Sequence, residues 1–288
     1  MTRVGVATAA EVPDLDDEGR LLLAALGGRG VAAEPVVWDA DVDWAAYDVT
    51  VVRSTWDYAE RLPDFLTWAD RVALVSRLLN SAEVIRWNTD KRYLVDLERA
   101  GVPVVPTQFL APGEGPGHRF ENVEHVVKPA VSAGSRGTLR LSVEETERSR
   151  AHARSLLDAG YSVMVQPYLH EVDEHGETAL LFLDGRFSHA MRKGPLLTAG
   201  MRLVEGLFAA EQMSLRDPSA AERELADAVL AAIPPHLAVD LLYARVDLLP
   251  SPDGPRLLEL ELTEPSLFLE HHPPSAAALA DAVVRRLS

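Results

Sequence analysis

Strand-like and helix-like segments alternate over the first fifty residues, and this alternation restricts the fold more than any other feature of the sequence. A helical pattern at 21–26 follows the first of three strand patterns, which lie at 4–8, 35–38 and 48–53. This is βαββ or βαβ order, which usually gives a parallel sheet covered by helices. Ligands then bind near the carboxyl ends of the strands, so the loops after Thr8 and Arg53 are candidate binding loops.

A second organisation is predicted from residue 88 onward. Asn88 or Thr89 caps a predicted helix that ends at Gly101. The later predicted segments are a Pro/Gly-rich loop at 111–117, strands at 123–128, 138–141 and 162–166, helices at 143–159 and 220–232, a hairpin through Asp184 and Gly185, paired strands around Asp247 and Glu259, and a terminal helix. We therefore expect an amino-terminal domain at 1–85, a small central lobe at 86–170 and a carboxyl-terminal subdomain at 171–288.

The composition of the 288 residues is that of an ordinary globular protein, with 47% hydrophobic and 25% charged residues. The formal net charge of -16 repels phosphates and anionic lipids, so neither nucleic acid nor a membrane is an expected partner. No apolar run approaches the ~20 residues that span a bilayer, and no leader pattern is present, which makes the cytoplasm the expected compartment. The absence of cysteine excludes disulfides, thiolate metal sites and cysteine nucleophiles.

Two apolar segments near the end of the chain carry four charged side chains. Arg245 and Asp247 lie on the first segment, and Glu259 and Glu261 lie on the second, after a turn signal at 252–254. Because side chains two apart on a strand share a face, all four are expected on one face of an antiparallel pair. Buried carboxylates without compensation are costly, and a divalent cation with oxygen ligands, such as Mg²⁺, removes that cost. The alternative is a solvent-facing strand pair whose charges have no function.

A lysine and a loop of small residues form a second candidate site. Lys128 ends an apolar strand pattern, and the loop at 132–138 reads Ser-Ala-Gly-Ser-Arg-Gly-Thr. Backbone N–H groups of such a loop can approach anionic oxygens while the lysine supplies a point charge, which is phosphate-binding chemistry. Taken singly, a tight turn explains the loop equally well.

In this order, these elements resemble the ATP-grasp superfamily over nearly the whole chain, especially its glutathione synthetase and D-alanine–D-alanine ligase branch. The resemblance implies an α/β fold, α+β in the lid, with an amino-terminal pre-ATP-grasp parallel-sheet domain, a central lid and a carboxyl-terminal ATP-grasp domain. It implies a ligase that uses ATP to activate a carboxylate as an acyl phosphate and then forms a C–N bond. The expected cofactors are ATP and Mg²⁺, for which Mn²⁺ substitutes.

The resemblance also assigns roles to individual residues. Phosphate binding falls on Lys91, Lys128 and the lid loop, with Ser132, Gly134, Ser135, Arg136 and Gly137. The adenine hinge corresponds to Gln166, Pro167, Tyr168 and Leu169, and the ribose ligand corresponds to Glu177. The metal ligands are Asp247, Glu259 and Glu261, and the catalytic cations are Arg245, Lys193 and Arg192.

Two departures from the family pattern affect the substrate. Glu261 stands where the family usually has asparagine, and the glycine of the usual Ser-Pro-Gly loop is missing near Pro265. The segments at 51–58 and 86–93 are most similar to D-cycloserine synthetases and their actinobacterial relatives. That likeness implies a small amino-acid-like substrate, O-ureido-D-serine, which cyclises to D-cycloserine in antibiotic biosynthesis. The expected substrate-binding residues are Arg53, Ser54, Asp57 and Tyr58.

Other functions remain as alternatives. A two-substrate ligase of the dipeptide type, a kinase, and a catalytically silent ATP-binding regulator would all use the same nucleotide site. The cluster at 170–175 contains two histidines and three acidic residues, but a solvated turn explains it better than a metal site. A homodimer is one option for the quaternary structure.

Overall fold

The structure is a computed structural model that describes residues 2–134, 136–195, 197, 212–238 and 240–287. It contains three sheets that follow one another along the chain. The sheets fall in turn within the segments predicted at 1–85, 86–170 and 171–288. One helix at Ala82–Asn88 crosses the first of these limits, and the limits themselves stay a prediction.

The first sheet is parallel throughout, as the alternating pattern predicts. Its strands are β1 (Arg3–Thr8), β2 (Ala32–Val37), β3 (Val49–Ser54) and β4 (Arg77–Leu79), in the order β2-β1-β3-β4. The helices are α1 (Asp17–Gly27), α2 (Leu62–Ala73) and α3 (Ala82–Asn88), with short 3-10 turns at Trp44–Ala46 and Trp56–Glu60. Helix α1 begins where the Asp16 carboxylate accepts a hydrogen bond from the Gly19 N–H at 3.0 Å. The central strands β1 and β3 are buried on both faces.

The second sheet is antiparallel and small. Its elements are α4 (Tyr93–Arg99), β5 (Gln108–Leu110), β6 (His125–Pro129), β7 (Leu139–Leu141), a 3-10 turn at Val143–Glu145, α5 (Thr146–Asp158) and β8 (Val163–Pro167). The strand order is β5-β8-β6-β7, and α5 packs on one face around a core of its own. This lobe is the α+β lid that the sequence predicts.

The third sheet is also antiparallel and has the order β11-β10-β9-β12-β13. Its elements are α6 (Glu171–His175), β9 (Glu177–Leu183), β10 (Arg186–Lys193), β11 (Met213–Leu215), α7 (Ala220–Ala231), β12 (Tyr243–Leu249), β13 (Arg256–Glu261) and α8 (Pro273–Arg285). One face of this sheet shares a hydrophobic core with β1, β3, α1 and α8, which fixes it against the amino-terminal sheet. The opposite face packs on α4 and α7.

The predicted helix cap at Asn88 or Thr89 is wrong. Asn88 is the last residue of α3 and Thr89 is its C-cap, while α4 begins only after Arg92. The Asn88 side chain is used elsewhere, since it donates to the Leu260 carbonyl at 2.8 Å and accepts from the Leu262 N–H at 2.6 Å. Lys91 therefore lies in the turn between two helices, held against strand β13 rather than on a helix surface.

Candidate active site

The strand pair β12 and β13 carries the four charged residues on one face, and this confirms the predicted hairpin. Arg245 lies opposite Glu261, and Asp247 lies opposite Glu259. The Arg245 guanidinium binds Asp247 through two nitrogens, with Nε at 2.9 Å from Oδ1 and Nη2 at 2.8 Å from Oδ2. It also forms an ion pair with Glu261. Two carboxylates thus contact one arginine, and Glu259 lies beside them on the same face.

The pKa values of these carboxylates are shifted in opposite directions by their surroundings. Burial alone raises the pKa of Asp247, but Arg245 and Lys193 outweigh burial and hold that pKa well below its usual range. The pKa of Glu261 is raised instead, because burial is reinforced by Glu259 and Asp247 and only partly offset by Arg245. Acidic groups are therefore in excess over their protein partners, which is the situation that a bound cation relieves.

All three lysines of the chain lie around the hairpin. Lys91 is buried and its Nζ lies 3.0 Å from Glu259 Oε1 and 2.9 Å from the Ser132 carbonyl oxygen. Lys193 Nζ lies 2.6 Å from Glu177 Oε1 and 3.5 Å from Asp247 Oδ2. Lys128 is the penultimate residue of β6 in the lid, and burial lowers its pKa while Glu259 partly opposes this effect. Buried ammonium groups gathered in this way favour an anionic ligand.

A cavity of about 320 Å³ connects these charges with an apolar slot. The slot is lined by the predicted hinge residues Gln166, Pro167, Tyr168 and Leu169 and by Val105, Val126, Val172, Leu249 and Leu258. The hinge is held rigidly, because Gln166 pairs with Val126 in the sheet and the Tyr168 N–H donates to the Glu124 carbonyl at 2.8 Å. An apolar slot that opens onto a cluster of cations suits a nucleotide, with the base in the slot and the phosphates beside the lysines.

The lid loop reaches the cavity with only some of its predicted residues. Ser132 and Gly134 line it, whereas Arg136 forms an ion pair with Glu60 and Gly137 packs against Pro129. Gly134 and Gly137 have φ values of 63° and 71°, a backbone region that favours glycine. Ser135 lies outside the described residues.

Among the predicted substrate residues, only Tyr58 lines the cavity. Arg53 is buried behind it and binds the Pro265 carbonyl at 2.9 Å and Glu18 at 3.0 Å. The other two side chains also bind protein groups: Ser54 donates to Asp16 and Asp57 accepts from Trp38.

The two adjacent cations of β10 lie on different sides. Lys193 lines the cavity, but Arg192 does not, since successive side chains of a strand alternate between faces. The Arg192 guanidinium instead donates to the carbonyls of His175 and Glu174, at 2.9 and 3.1 Å, and so caps the end of α6. Glu177, the predicted ribose ligand, lies in the cavity beside Lys193.

Several cavity residues received no role from the sequence. They are Trp56, Asn88, Glu264, Ser266 and Phe268, together with apolar residues of the slot. A usable signal existed for Glu264, which is a lone acidic residue before proline in an otherwise apolar stretch three residues after Glu261. The others are brought in by tertiary contacts between distant segments.

The donor set fits Mg²⁺, which takes oxygen ligands and usually keeps only one or two protein carboxylates. Asp247, Glu259 and Glu261 face the cavity, and the pKa of Glu261 is raised by burial, to which the neighbouring Glu259 and Asp247 add. In the described part of the chain, no group of three His, Cys, Asp or Glu side chains stands in a ready metal-binding arrangement, because these carboxylates contact Arg245 and the lysines. None of the described helices is long and apolar enough to cross a membrane.

Comparison with known proteins agrees with this geometry. Residues 4–80 match the family described as D-cycloserine synthetase DcsG, N-terminal domain. The chain is 39% identical over 297 residues to the cycloserine biosynthesis protein DcsG of Streptomyces lavendulae, covering 98% of this chain and 97% of that protein. The crystal structure of D-cycloserine synthetase DcsG has a TM-score of 0.90 and 38% identity, over 99% of this chain and 100% of that one.

A more distant structure shares the fold alone. The ATP-grasp ligase PsnB, complexed with a phosphomimetic variant of its minimal precursor, Mg and ADP, has a TM-score of 0.64 at 19% identity, over 100% of this chain and 99% of that one. The fold and the cavity thus define an enzyme of the ATP-grasp ligase class. Within that class, the chain belongs to the D-cycloserine synthetase family.

Proposed function

We propose that this protein uses ATP to phosphorylate the carboxylate of a small amino-acid derivative and closes a C–N bond within the same molecule, converting O-ureido-D-serine to D-cycloserine. The observation that carries the proposal is the single cavity in which an apolar slot, three lysines and the Arg245 hairpin meet. The D-cycloserine synthetase named above, 38% identical, supports the choice of product.

The protein groups divide the chemistry between them. Lys91, Lys128 and Lys193 bind the phosphates of ATP, and a substrate carboxylate oxygen attacks the γ-phosphorus as ADP leaves. The oxygen-bound nitrogen of the substrate then attacks the acyl carbon, and the C–O bond to phosphate breaks. Water hydrolyses the bond between this nitrogen and the carbamoyl group, which leaves as carbon dioxide and ammonia. Arg245 stabilises the negative charge that develops on the acyl oxygen. When bound at Asp247, Glu259 and Glu261, Mg²⁺, or Mn²⁺ in its place, neutralises phosphate charge.

A two-substrate ligase is the second candidate, and one observation favours it. A neighbouring cavity of about 380 Å³ shares Trp56, Ser266 and Phe268 with the first, and it offers space for an independent amine. A silent ATP-binding regulator has less support, because the hairpin keeps its carboxylates and its arginine.

The deciding experiment incubates the protein with ATP, Mg²⁺ and O-ureido-D-serine alone and measures ADP, phosphate and cyclic product. We expect all three to form, because a tethered nitrogen nucleophile gives ring closure a high effective molarity. Turnover only after a second amino acid is added would identify the two-substrate ligase. Nucleotide binding without any phosphate release would identify the regulator.

A further inference from the structure

Glu264 is an acidic side chain in the cavity that the reaction described above does not use. It lies in the loop that follows β13 and lines the same cavity as Arg245 and Lys91. Tyr58, from the amino-terminal part of the chain, lines the same cavity, and its hydroxyl lies close enough to the Glu264 carboxyl group to lower that group's pKa. Among the described residues, no ion pair involving Glu264 falls within 4.0 Å.

The loop that carries Glu264 is fixed from behind by a buried ion pair. Arg53 binds the carbonyl of Pro265, the next residue in the chain, and also binds Glu18. Glu18 in turn accepts hydrogen bonds from the Leu267 and Phe268 N–H groups at 2.7 and 2.8 Å. Both members of this ion pair are almost fully buried. The loop is therefore attached to the amino-terminal domain by hydrogen bonds between these two side chains and its own backbone groups, and not by solvent-exposed contacts. The Glu264 carboxyl is therefore presented at a defined position.

The surroundings of Glu264 do not favour a negative charge. Burial raises its pKa to about 8, and Glu261 adds to the increase while Lys91 opposes it. An acidic group that is held in such a place without an ion-pair partner costs stability, which a structural role does not require. Its carbonyl oxygen accepts a hydrogen bond when the group is protonated, and both oxygens accept when it is ionised. A cationic nitrogen beside it favours the ionised form, which repels a substrate carboxylate.

We propose that Glu264, together with Tyr58, binds a nitrogen hydrogen-bond donor of the substrate and so determines both its orientation and its specificity. The substrate carboxylate is excluded from this end of the cavity and is directed to Arg245 and Lys193. The nitrogen end lies against Glu264. The inference rests on the proposed function. It adds the direction in which the substrate lies in the site, with its carboxylate at one end and its nitrogen at the other.

Two nitrogen groups of O-ureido-D-serine have this chemistry, the α-amino group and the urea nitrogens. Two analogues distinguish which of these groups binds Glu264. O-acetyl-D-serine keeps the α-amino group and lacks the urea. The desamino analogue, 3-(ureidooxy)propanoate, keeps the urea and lacks the α-amino group. Both retain the carboxylate. Each analogue therefore removes one donor while leaving the acyl end unchanged.

The experiment measures dissociation constants of the three compounds by calorimetry, with the protein saturated by Mg²⁺ and a non-hydrolysable ATP analogue. We expect the parent protein to bind O-ureido-D-serine at least about tenfold more tightly than one of the two analogues, as one charged hydrogen bond predicts. In Glu264→Gln the ratio of the dissociation constants of analogue and substrate is expected to fall to near one. The amide carries no negative charge and can place an N–H group opposite the substrate donor. Glu264→Asp is expected to restore part of this ratio, and Tyr58→Phe to lower it.

Glu98→Gln provides the matched control, because Glu98 is an exposed glutamate on α4 outside the cavity. A ratio that is unchanged in Glu264→Gln for both analogues would overturn the inference. Unaltered affinity for the ATP analogue shows that the variants are folded. The proposed function is tested by a different measurement, since it would be contradicted by the absence of cyclic product in the parent protein. The binding ratios do not depend on turnover, so failure of one hypothesis can be distinguished from failure of the other.

Discussion

Lysine and arginine side chains occupy different places in this protein. The chain has only three lysines, and all three line the cavity, whereas ion pairs on the surface, such as Arg3 with Glu34 and Arg150 with Glu121, are formed by arginines. A lysine places a compact charge on a flexible stem and moves freely onto a ligand, while arginine fits planar carboxylates. Because the cavity holds every lysine, amine-selective labelling reports on this site and the amino terminus alone.

The first prediction concerns Lys128. Replacement by alanine is expected to weaken ATP binding about 10–100-fold, because a phosphate oxygen then lies in the cavity without its charged partner. Calorimetry with ATP and Mg²⁺ measures the loss. Arg154→Ala, an exposed arginine of the same lobe, is the control and is expected to bind ATP normally. Equal affinities in the two variants would remove Lys128 from the nucleotide site.

A second prediction concerns Glu264 and pH. Its pKa is raised by burial to about 8 in the folded chain, above the ordinary value of 4.5. Between these values the folded state holds a proton that the unfolded state has released, so stability falls as pH rises from about 4.5 to about 8. Glu264→Gln removes this contribution. The difference between the melting temperatures of variant and parent is expected to grow with pH over this interval, and a constant difference would contradict the assignment.

Charged residues could be predicted from sequence where local periodicity decides their position. The shared face of Arg245, Asp247 and Glu261 follows from the period of two along strands. The same period distinguishes Lys193 from Arg192, although it does not say which of them faces the ligand. Arg53 could not be placed, because its partner Pro265 is 212 positions away in sequence.

At the scale of elements, the junction between α6 and β9 depends on one glycine. Gly176 has φ 74° and ψ 176°, a region nearly restricted to glycine. A Cβ atom there would lie 2.6 Å from the Lys193 carbonyl oxygen. Any larger residue must therefore displace the end of β10, which carries the Lys193 side chain into the cavity.

Gly176→Ala is accordingly expected to cost about 1–3 kcal/mol of stability and to lower turnover as well. Gly185→Ala is a matched control, since Gly185 has φ 70° in the β9–β10 turn but has open space around its Cβ position. The Gly185→Ala variant has the backbone strain of a positive φ but no steric clash at the new Cβ atom. We therefore expect some loss of stability and normal turnover. Denaturant unfolding and steady-state assays measure both effects. Equal turnover losses in the two variants would show that strain alone is responsible.

Most elements were predictable because their signals are local. The acidic hairpin, the lid strands and the terminal helix follow from apolar periodicity and turn residues, and the structure contains each of them. The helix cap at Asn88 was wrong because its side chain binds the backbone of β13 instead of its own helix. Tertiary partners of this kind override local capping preferences, and a single sequence does not reveal them.

At the scale of the whole molecule, the cavity is built from all three sheets and their loops. Tyr58 comes from the amino-terminal part, Lys128 and Gln166 come from the lid, and Asp247 comes from the carboxyl-terminal sheet. The amino-terminal and carboxyl-terminal sheets share a large hydrophobic core, but the lid has a smaller core of its own. The lid is therefore the part whose stability depends most on what occupies the cavity.

The last prediction follows from this arrangement. A ligand that contacts both the lid and the carboxyl-terminal sheet adds its binding free energy to the contacts between them, and at a concentration of 100 times Kd this is about 2.7 kcal/mol. For a chain of this size, that energy raises the melting temperature by about 4 °C. Mg²⁺ and ATP together are expected to produce this shift in the parent protein, as one transition, and to slow amide hydrogen exchange in β6 and β7 along with β12. At the same ATP concentration Lys128→Ala is expected to shift less, because its Kd is higher, whereas Arg154→Ala is expected to match the parent. Protection confined to β12 and β13, with β6 and β7 exchanging as in the free protein, would mean that the nucleotide does not bridge the lid to the carboxyl-terminal sheet.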